Sequence, residues 1–342
     1  MVVGNAEERT LEGHFACGNG LFIAIECLGH SYNTKTATHD VSISLPTLRR
    51  NWQEGHLDPP TWTYRSSQQP DPNADVIDDK FEWGVTVGYH NEPDGSQAPD
   101  YARVSRWRFE TTITTTRMAS DFFGARTKAV SELESWWELT SSWISILTQQ
   151  NAVHIGKAGS GMRVGSIITW AGDGNSYRVN PSIDTSRPVL SAAGVDILDH
   201  QTLTACLTLA ASQTEPPLEW TFIRDARSLA AAREYRRAAI DACTASELAL
   251  TALIDSKFDA DNIPAPSRAA QFDAHHGIAR LTRLHGSSGA AGTLPRQLVQ
   301  NVGALRNKAA HRGYTPTLSE TTLAIQTATT VVELASPLSG YR

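Results

Sequence analysis

Part-way along this chain the hydrophobic period changes. Up to about residue 116 apolar and polar residues alternate, as in Val41-Ser42-Ile43-Ser44-Leu45, Phe81-Glu82-Trp83-Gly84-Val85-Thr86-Val87, and Trp107-Arg108-Phe109 running into Thr111–Thr116. A repeat of two puts alternate side chains on opposite faces of a strand, so these segments predict half-buried β-strands. Turn chemistry separates them at Asp58-Pro59-Pro60, Gln69-Pro70-Asp71-Pro72-Asn73 and Asn91-Glu92-Pro93-Asp94-Gly95. From Phe222 the spacing becomes helical, in four segments of about 225–258, 267–285, 295–312 and 318–335. The expected fold is therefore α+β: a mainly antiparallel β-sheet or sandwich module over 1–221, and a four-helix bundle over 222–342.

Within the first module, Val130, Leu133, Trp136 or Trp137, Trp143 and Leu147 would cover one wide apolar face of a helix at about Ala129–Gln149. Such a helix is expected to pack on the sheet. Strand-like pieces return at Gly165–Trp170 and Tyr177–Asn180, and a short helix is expected over Gln201–Ala211. In the helical part the breaks fall at Asn262-Ile263-Pro264, Gly286-Ser287-Ser288-Gly289 and Gly313-Tyr314-Thr315-Pro316.

Charge divides along the same line. The net charge of −6 conceals a 224–312 stretch with 13 basic against 8 acidic residues, while the remainder holds 17 against 28. All nine tryptophans lie before residue 224, Trp220 being the last. An acidic, aromatic module is thus expected beside a basic helical one. Most of the tryptophans are expected in the core. The four cysteines, Cys17, Cys27, Cys206 and Cys243, are too few and too scattered for a disulfide framework or a zinc pattern, and read as reduced thiols. With no long apolar run and no leader-like start, the expected location is the cytoplasm, with no membrane contact.

The chemistry-bearing segment is Leu305-Arg306-Asn307-Lys308-Ala309-Ala310-His311-Arg312-Gly313. Composition alone would produce Arg-x4-His about once in such a chain, and it occurs three times, also as Arg9…His14 and Arg280…His285. Arg50-Asn51…His56 repeats the theme with one more spacer residue, beside Trp52 in strand-and-turn sequence, and is set aside. What distinguishes 306–311 is an apolar stripe of Leu298, Val302, Leu305 and Ala309, a histidine in the last turn, and Gly313 as a helix stop. In the first long helix Glu247 interrupts the stripe of Ile240, Cys243, Leu250 and Ile254, and a carboxylate there needs a partner or a role.

Arg306-Asn307-x-x-x-His311, in a helical context with Glu247, resembles the Arg-x4–6-His motif of the HEPN superfamily, in the style of the Apea-like HEPN domains. The resemblance covers about residues 225–337. It implies a four-helix HEPN-like bundle, a homodimer, and a metal-independent endoribonuclease in which a ribose 2′-OH attacks the neighbouring phosphate. His311 would exchange protons, Arg306 would hold the phosphate charge, Asn307 would keep the imidazole or an oxygen in register, and Glu247 would orient a cation. No cofactor is implied. Residues five apart on a helix are about 140° apart, so Arg306 and His311 are not expected to converge within one helix unless its last turn relaxes or a second copy contributes. The wider expectation is antiphage defence or a toxin system, the β-rich module sensing a phage or cellular trigger or restraining the nuclease. The alternative is a non-catalytic dimerisation or RNA-binding protein with a ligand-sensing β-module. Asp273, His275 and His276 lie close together but lack further metal ligands and read as a polar face. Gly156-Lys157-Ala158-Gly159-Ser160-Gly161 lacks the P-loop order and reads as a hairpin loop.

Overall fold

A computed structural model describes residues 6–49, 55–61, 83–116, 119–152, 168–170, 176–178 and 195–342. The fold is α+β, an antiparallel sheet followed by a helical region. Contacts divide the chain into two compact units between Glu215 and Pro216, a few residues before the expected boundary. Of the described residues, no helix is long and apolar enough to cross a membrane.

The first unit is organised by two long strands, β1 (Glu7–Ala24) and β7 (Gln97–Thr115). They pair antiparallel from Glu7↔Thr115 to Ala24↔Tyr101, with a register shift between Ala16 and Leu21. Around them lie β2 (Ser31–Lys35), β3 (Asp40–Ser44), β6 (Gly84–Asn91), β8 (Ile168–Trp170) and β9 (Ser176–Arg178). The seven-stranded order is β2-β3-β7-β1-β8-β9, with β6 also on β7. Two short strands, β4 (Thr47–Leu48) and β5 (Leu57–Asp58), form a separate pair. The expected turn after Asn91 is present, Gly95 N–H donating to the Glu92 carbonyl at 2.9 Å. The Gln69–Asn73 turn and the Gly156–Gly161 loop lie outside the described residues, as do Phe81, Glu82, 165–167, Asn180 and Arg50-Asn51.

Strand β1 is not among the expected strands, although Leu11-Glu12-Gly13-His14-Phe15 alternates. Every residue from Leu11 to Phe15 is buried, Glu12 and His14 among them, so both faces are covered. The Glu12 carboxylate is held by Arg108 at 2.9 Å, which compensates its removal from water. Burial, with the nearby Arg106 charge, lowers the His14 imidazole to about 3.

Helix α1 runs from Ala119 to Thr148, beginning ten residues before the expected start. Leu133, Trp136, Trp137, Trp143 and Leu147 are buried as predicted, whereas Ala129 takes the core position expected for Val130, which is half-exposed. This face lies on the sheet: the Phe15 ring stacks on Trp137 with centroids 4.6 Å apart. Buried hydroxyls in the helix bond back one turn, as Thr140 does to the Trp136 carbonyl at 2.9 Å. Helix α2 (His200–Ala211), near the predicted place, starts from Asp199, whose carboxylate accepts from Thr202 N–H at 2.8 Å.

The second unit contains α3 (Leu218–Ala231), α4 (Tyr235–Ala260), α5 (Ala265–Ala274), α6 (Ile278–Ser288), a π-helical turn (Val299–Ala304) continuous with α7 (Leu305–His311), and α8 (Leu318–Ala335). The first two of the four expected helical segments are each divided. Arg233 takes φ +62 between α3 and α4, and Gly277 takes φ +82 between α5 and α6. Helix α4 is central, touching α3, α6, α7 and α8. Its buried Ala238, Ala239, Ala242, Ala245 and Ala249 offer small contact residues, and helix separation depends on such side-chain size. Trp220 belongs to this unit, buried on α3 with its indole N–H donating to the Ser336 carbonyl at 2.7 Å. The tryptophan partition expected from sequence therefore misplaces this residue.

Candidate functional site

The segment carrying Arg306 and His311 is fixed by its opposite face. Leu298, Val302, Leu305 and Ala309 are buried, as their spacing predicts. Gly303 sits where a Cβ would come within 3.2 Å of the Ile278 Cβ, so the π-helical turn approaches α6 at a position that lacks a side chain. At the other end Gly313 adopts φ +64, and Tyr314 N–H reaches back to the Lys308 carbonyl at 3.4 Å.

On the opposite face Asn307 and His311 are exposed and Arg306 is half-buried. Arg306 Nη1 lies 3.2 Å from His311 Nε2 and 3.4 Å from Asn307 Oδ1. The three polar residues of the motif therefore meet within one chain, which corrects the expectation that helical geometry keeps Arg306 from His311. The 140° argument concerns backbone directions, whereas the arginine side chain is long enough to cross that arc while the helix stays regular through His311. A guanidinium only donates, so this contact assigns the Nε2 lone pair to the imidazole and its proton to Nδ1. In this contact the acceptor nitrogen of the imidazole faces a fixed positive charge.

Glu247, on α4, is half-buried and accepts from Cys243 Sγ at 3.7 Å. Among the described residues it makes no ion pair with Arg306 or His311, so the orienting role expected of it is not expressed as a direct contact. It nevertheless shares the neighbourhood. Burial pushes the Cys243 thiol up to about 12, Glu247 adds to the shift, and the Arg306 charge opposes it. The four cysteines are all buried free thiols.

Periodicity did not single out two further groups beside the motif. Arg236 of α4 donates to the Ala310 carbonyl at 3.4 Å, placing another cation at the end of α7. Tyr314 donates its hydroxyl to both carboxylate oxygens of Glu320, each at 2.9 Å, and the Lys308 ammonium lies 5.9 Å from the ring centroid. An aromatic three residues after a last-turn histidine was visible in the sequence, but its fixed position depends on the capping box of α8, where Thr317 and Glu320 satisfy each other.

The competing Arg-x4-His pairs are built differently. His14 is buried in the sheet, in contact with Arg106. His285 is buried at the end of α6, with Nε2 3.1 Å from the Ala291 carbonyl. Neither imidazole is open to a substrate. His275 Nδ1 lies 2.7 Å from the Gln271 carbonyl, and no group of three His, Cys, Asp or Glu residues suited to a metal occurs among the described residues. Compared with known proteins, the chain matches no family model, no curated protein and no solved structure.

Proposed function

We propose that the helical unit is a HEPN-like, metal-independent endoribonuclease that works as a homodimer, serving antiphage defence or a toxin system, with the β-rich unit sensing a trigger or restraining it. The observation that carries this reading is the 3.2 Å contact between Arg306 and the exposed His311, with Asn307 alongside and no carboxylate paired to the guanidinium among the described residues. A guanidinium without an anion partner is ready for phosphate.

In the proposed reaction His311 Nε2 takes the proton from a ribose 2′-OH as that oxygen bonds to the adjacent phosphorus. The P–O5′ bond breaks, and the departing 5′-oxygen receives a proton from the imidazolium. The products are a 2′,3′-cyclic phosphate and a 5′-OH, and the imidazole regains its starting state. Arg306 leaves its contact with His311 to hold the non-bridging oxygens as charge grows on them, and Asn307 holds the ring in register. Proton transfer by a positioned group contributes about 10²- to 10⁴-fold, so His311→Ala should reduce cleavage on that scale.

The test is incubation of the full-length protein with single-stranded RNA in EDTA, beside His311→Ala and Arg306→Ala. Cyclic-phosphate products that vanish with His311→Ala support the enzyme. Cleavage unchanged by His311→Ala refutes it. Binding without cleavage, weakened by Arg306→Ala with a salt slope shallower by about 0.7, would identify the non-catalytic RNA-binding alternative instead.

A further inference from the structure

Resting on the ribonuclease reading, we propose that Tyr314 is a stacking platform for the nucleobase flanking the cut phosphate of single-stranded RNA, and so contributes to substrate choice. Tyr314 is 37% exposed, the one exposed large aromatic among the described residues of the helical unit. Exposure of a ring is common, but immobilisation of an exposed ring at both ends is not a requirement of folding. Here the backbone N–H is tied to the Lys308 carbonyl at 3.4 Å and the hydroxyl to Glu320 at 2.9 Å. Glu320 is itself held by Thr317 N–H at 2.8 Å and Thr317 Oγ1 at 2.9 Å. The ring is therefore ordered before any ligand arrives, and binding would lose little side-chain entropy at this point.

Position and charge point to the same ligand. Tyr314 follows His311 by three residues, so their Cα atoms are at most about 11 Å apart, within reach of the base next to a phosphate held by Arg306 and His311. Lys308 lies beside the ring, Arg306 reaches from the start of α7 to His311, and Arg312 and Arg236 supply cations at its C-terminal end. An aromatic face set among cations is the arrangement that binds single strands, bases stacking on the ring while the backbone follows the charge. Every base has a π-face, so the platform would favour strongly stacking purines over uracil without reading a hydrogen-bond code.

The experiment uses the full-length chain and a short single-stranded RNA that it cuts, first mapping the cut site, then replacing its 2′-OH by hydrogen so that binding is measured without reaction. Wild type, Tyr314→Leu and Tyr314→Phe are compared by fluorescence anisotropy on the intact strand and on strands made abasic at either nucleotide flanking the cut. Stacking predicts that Tyr314→Leu weakens binding about tenfold, that Tyr314→Phe stays within about twofold because it keeps the ring, and that one abasic strand weakens wild type but not Tyr314→Leu. Equal loss in Leu and Phe variants would assign Tyr314 to bracing Glu320 and overturn the proposal. So would Leu binding like wild type, or Leu and abasic effects that simply multiply, with the ribonuclease reading intact in each case. Failure of the wild-type protein to bind or cut RNA would remove both.

Discussion

Replacing Glu132 by glutamine isolates one carboxylate that joins α1 to the β2–β3 turn. Glu132 accepts from Thr36 Oγ1 at 2.8 Å, from Thr38 Oγ1 at 2.7 Å and from Thr38 N–H at 3.1 Å, with His39 Nδ1 3.1 Å away and Lys128 Nζ at 3.9 Å. Desolvation alone would raise its pKa. The bonds from Thr38, Thr36 and His39 together outweigh that cost and lower it from 4.5 to about 2. At about 1.36 kcal/mol for each unit the ionised form gains about 3 kcal/mol on folding. With the side chain 15% exposed, solvent screening reduces the useful part to about 2 kcal/mol. The folded pKa is the depressed one, so this stability is complete above the unfolded value of 4.5 and is lost as pH falls towards 2. Urea unfolding followed by tryptophan fluorescence should find Glu132→Gln less stable by about 2 kcal/mol at pH 7, with the gap narrowing steadily below pH 4.5. Trp136, Trp137 and Trp143 on the same helix provide the signal. A gap that is constant from pH 7 to pH 3, or no gap at pH 7, would refute the account of this contact.

Three further outcomes follow from particular contacts. Glu12→Ala removes the buried one of two carboxylates on Arg108, Glu110 being the other, and should cost about 1.5–3 kcal/mol in urea unfolding; a loss below about 1 kcal/mol would mean the pair is not desolvated as described. Gly303→Leu must place a side chain where a Cβ already meets Ile278 at 3.2 Å, and should cost about 1–3 kcal/mol in thermal unfolding of the helical unit, an unchanged melting temperature counting against the packing. Thr317→Ala deletes the cap at the start of α8 and should cost about 1 kcal/mol; it should also release Tyr314 through Glu320, read as increased ring mobility by NMR, and a ring as ordered as in wild type would contradict that coupling.

The elements legible before folding are those in which one face is apolar and the other wet. Val41 and Ile43 in β3, the tryptophan face of α1, and the stripe from Leu298 to Ala309 all carry a period because burial selects every second or every third-to-fourth residue. The same logic located the Arg306-Asn307…His311 face opposite that stripe. Three features arise only in the folded chain. Strand β1 is buried on both sides, and the polar side holds Glu12 and His14, whose partners come from β7 more than ninety residues away, so the covering of that side is not written in the local sequence. The breaks at Arg233 and Gly277 interrupt helical spacing that runs on unbroken in the sequence, since a positive φ alters the chain direction without altering hydrophobic content. At the candidate site the convergence of Arg306 with His311, and the placing of Arg236 and Tyr314 beside them, depend on side-chain reach and on contacts between helices. Periodicity describes where a backbone points, and these contacts depend on where long side chains end.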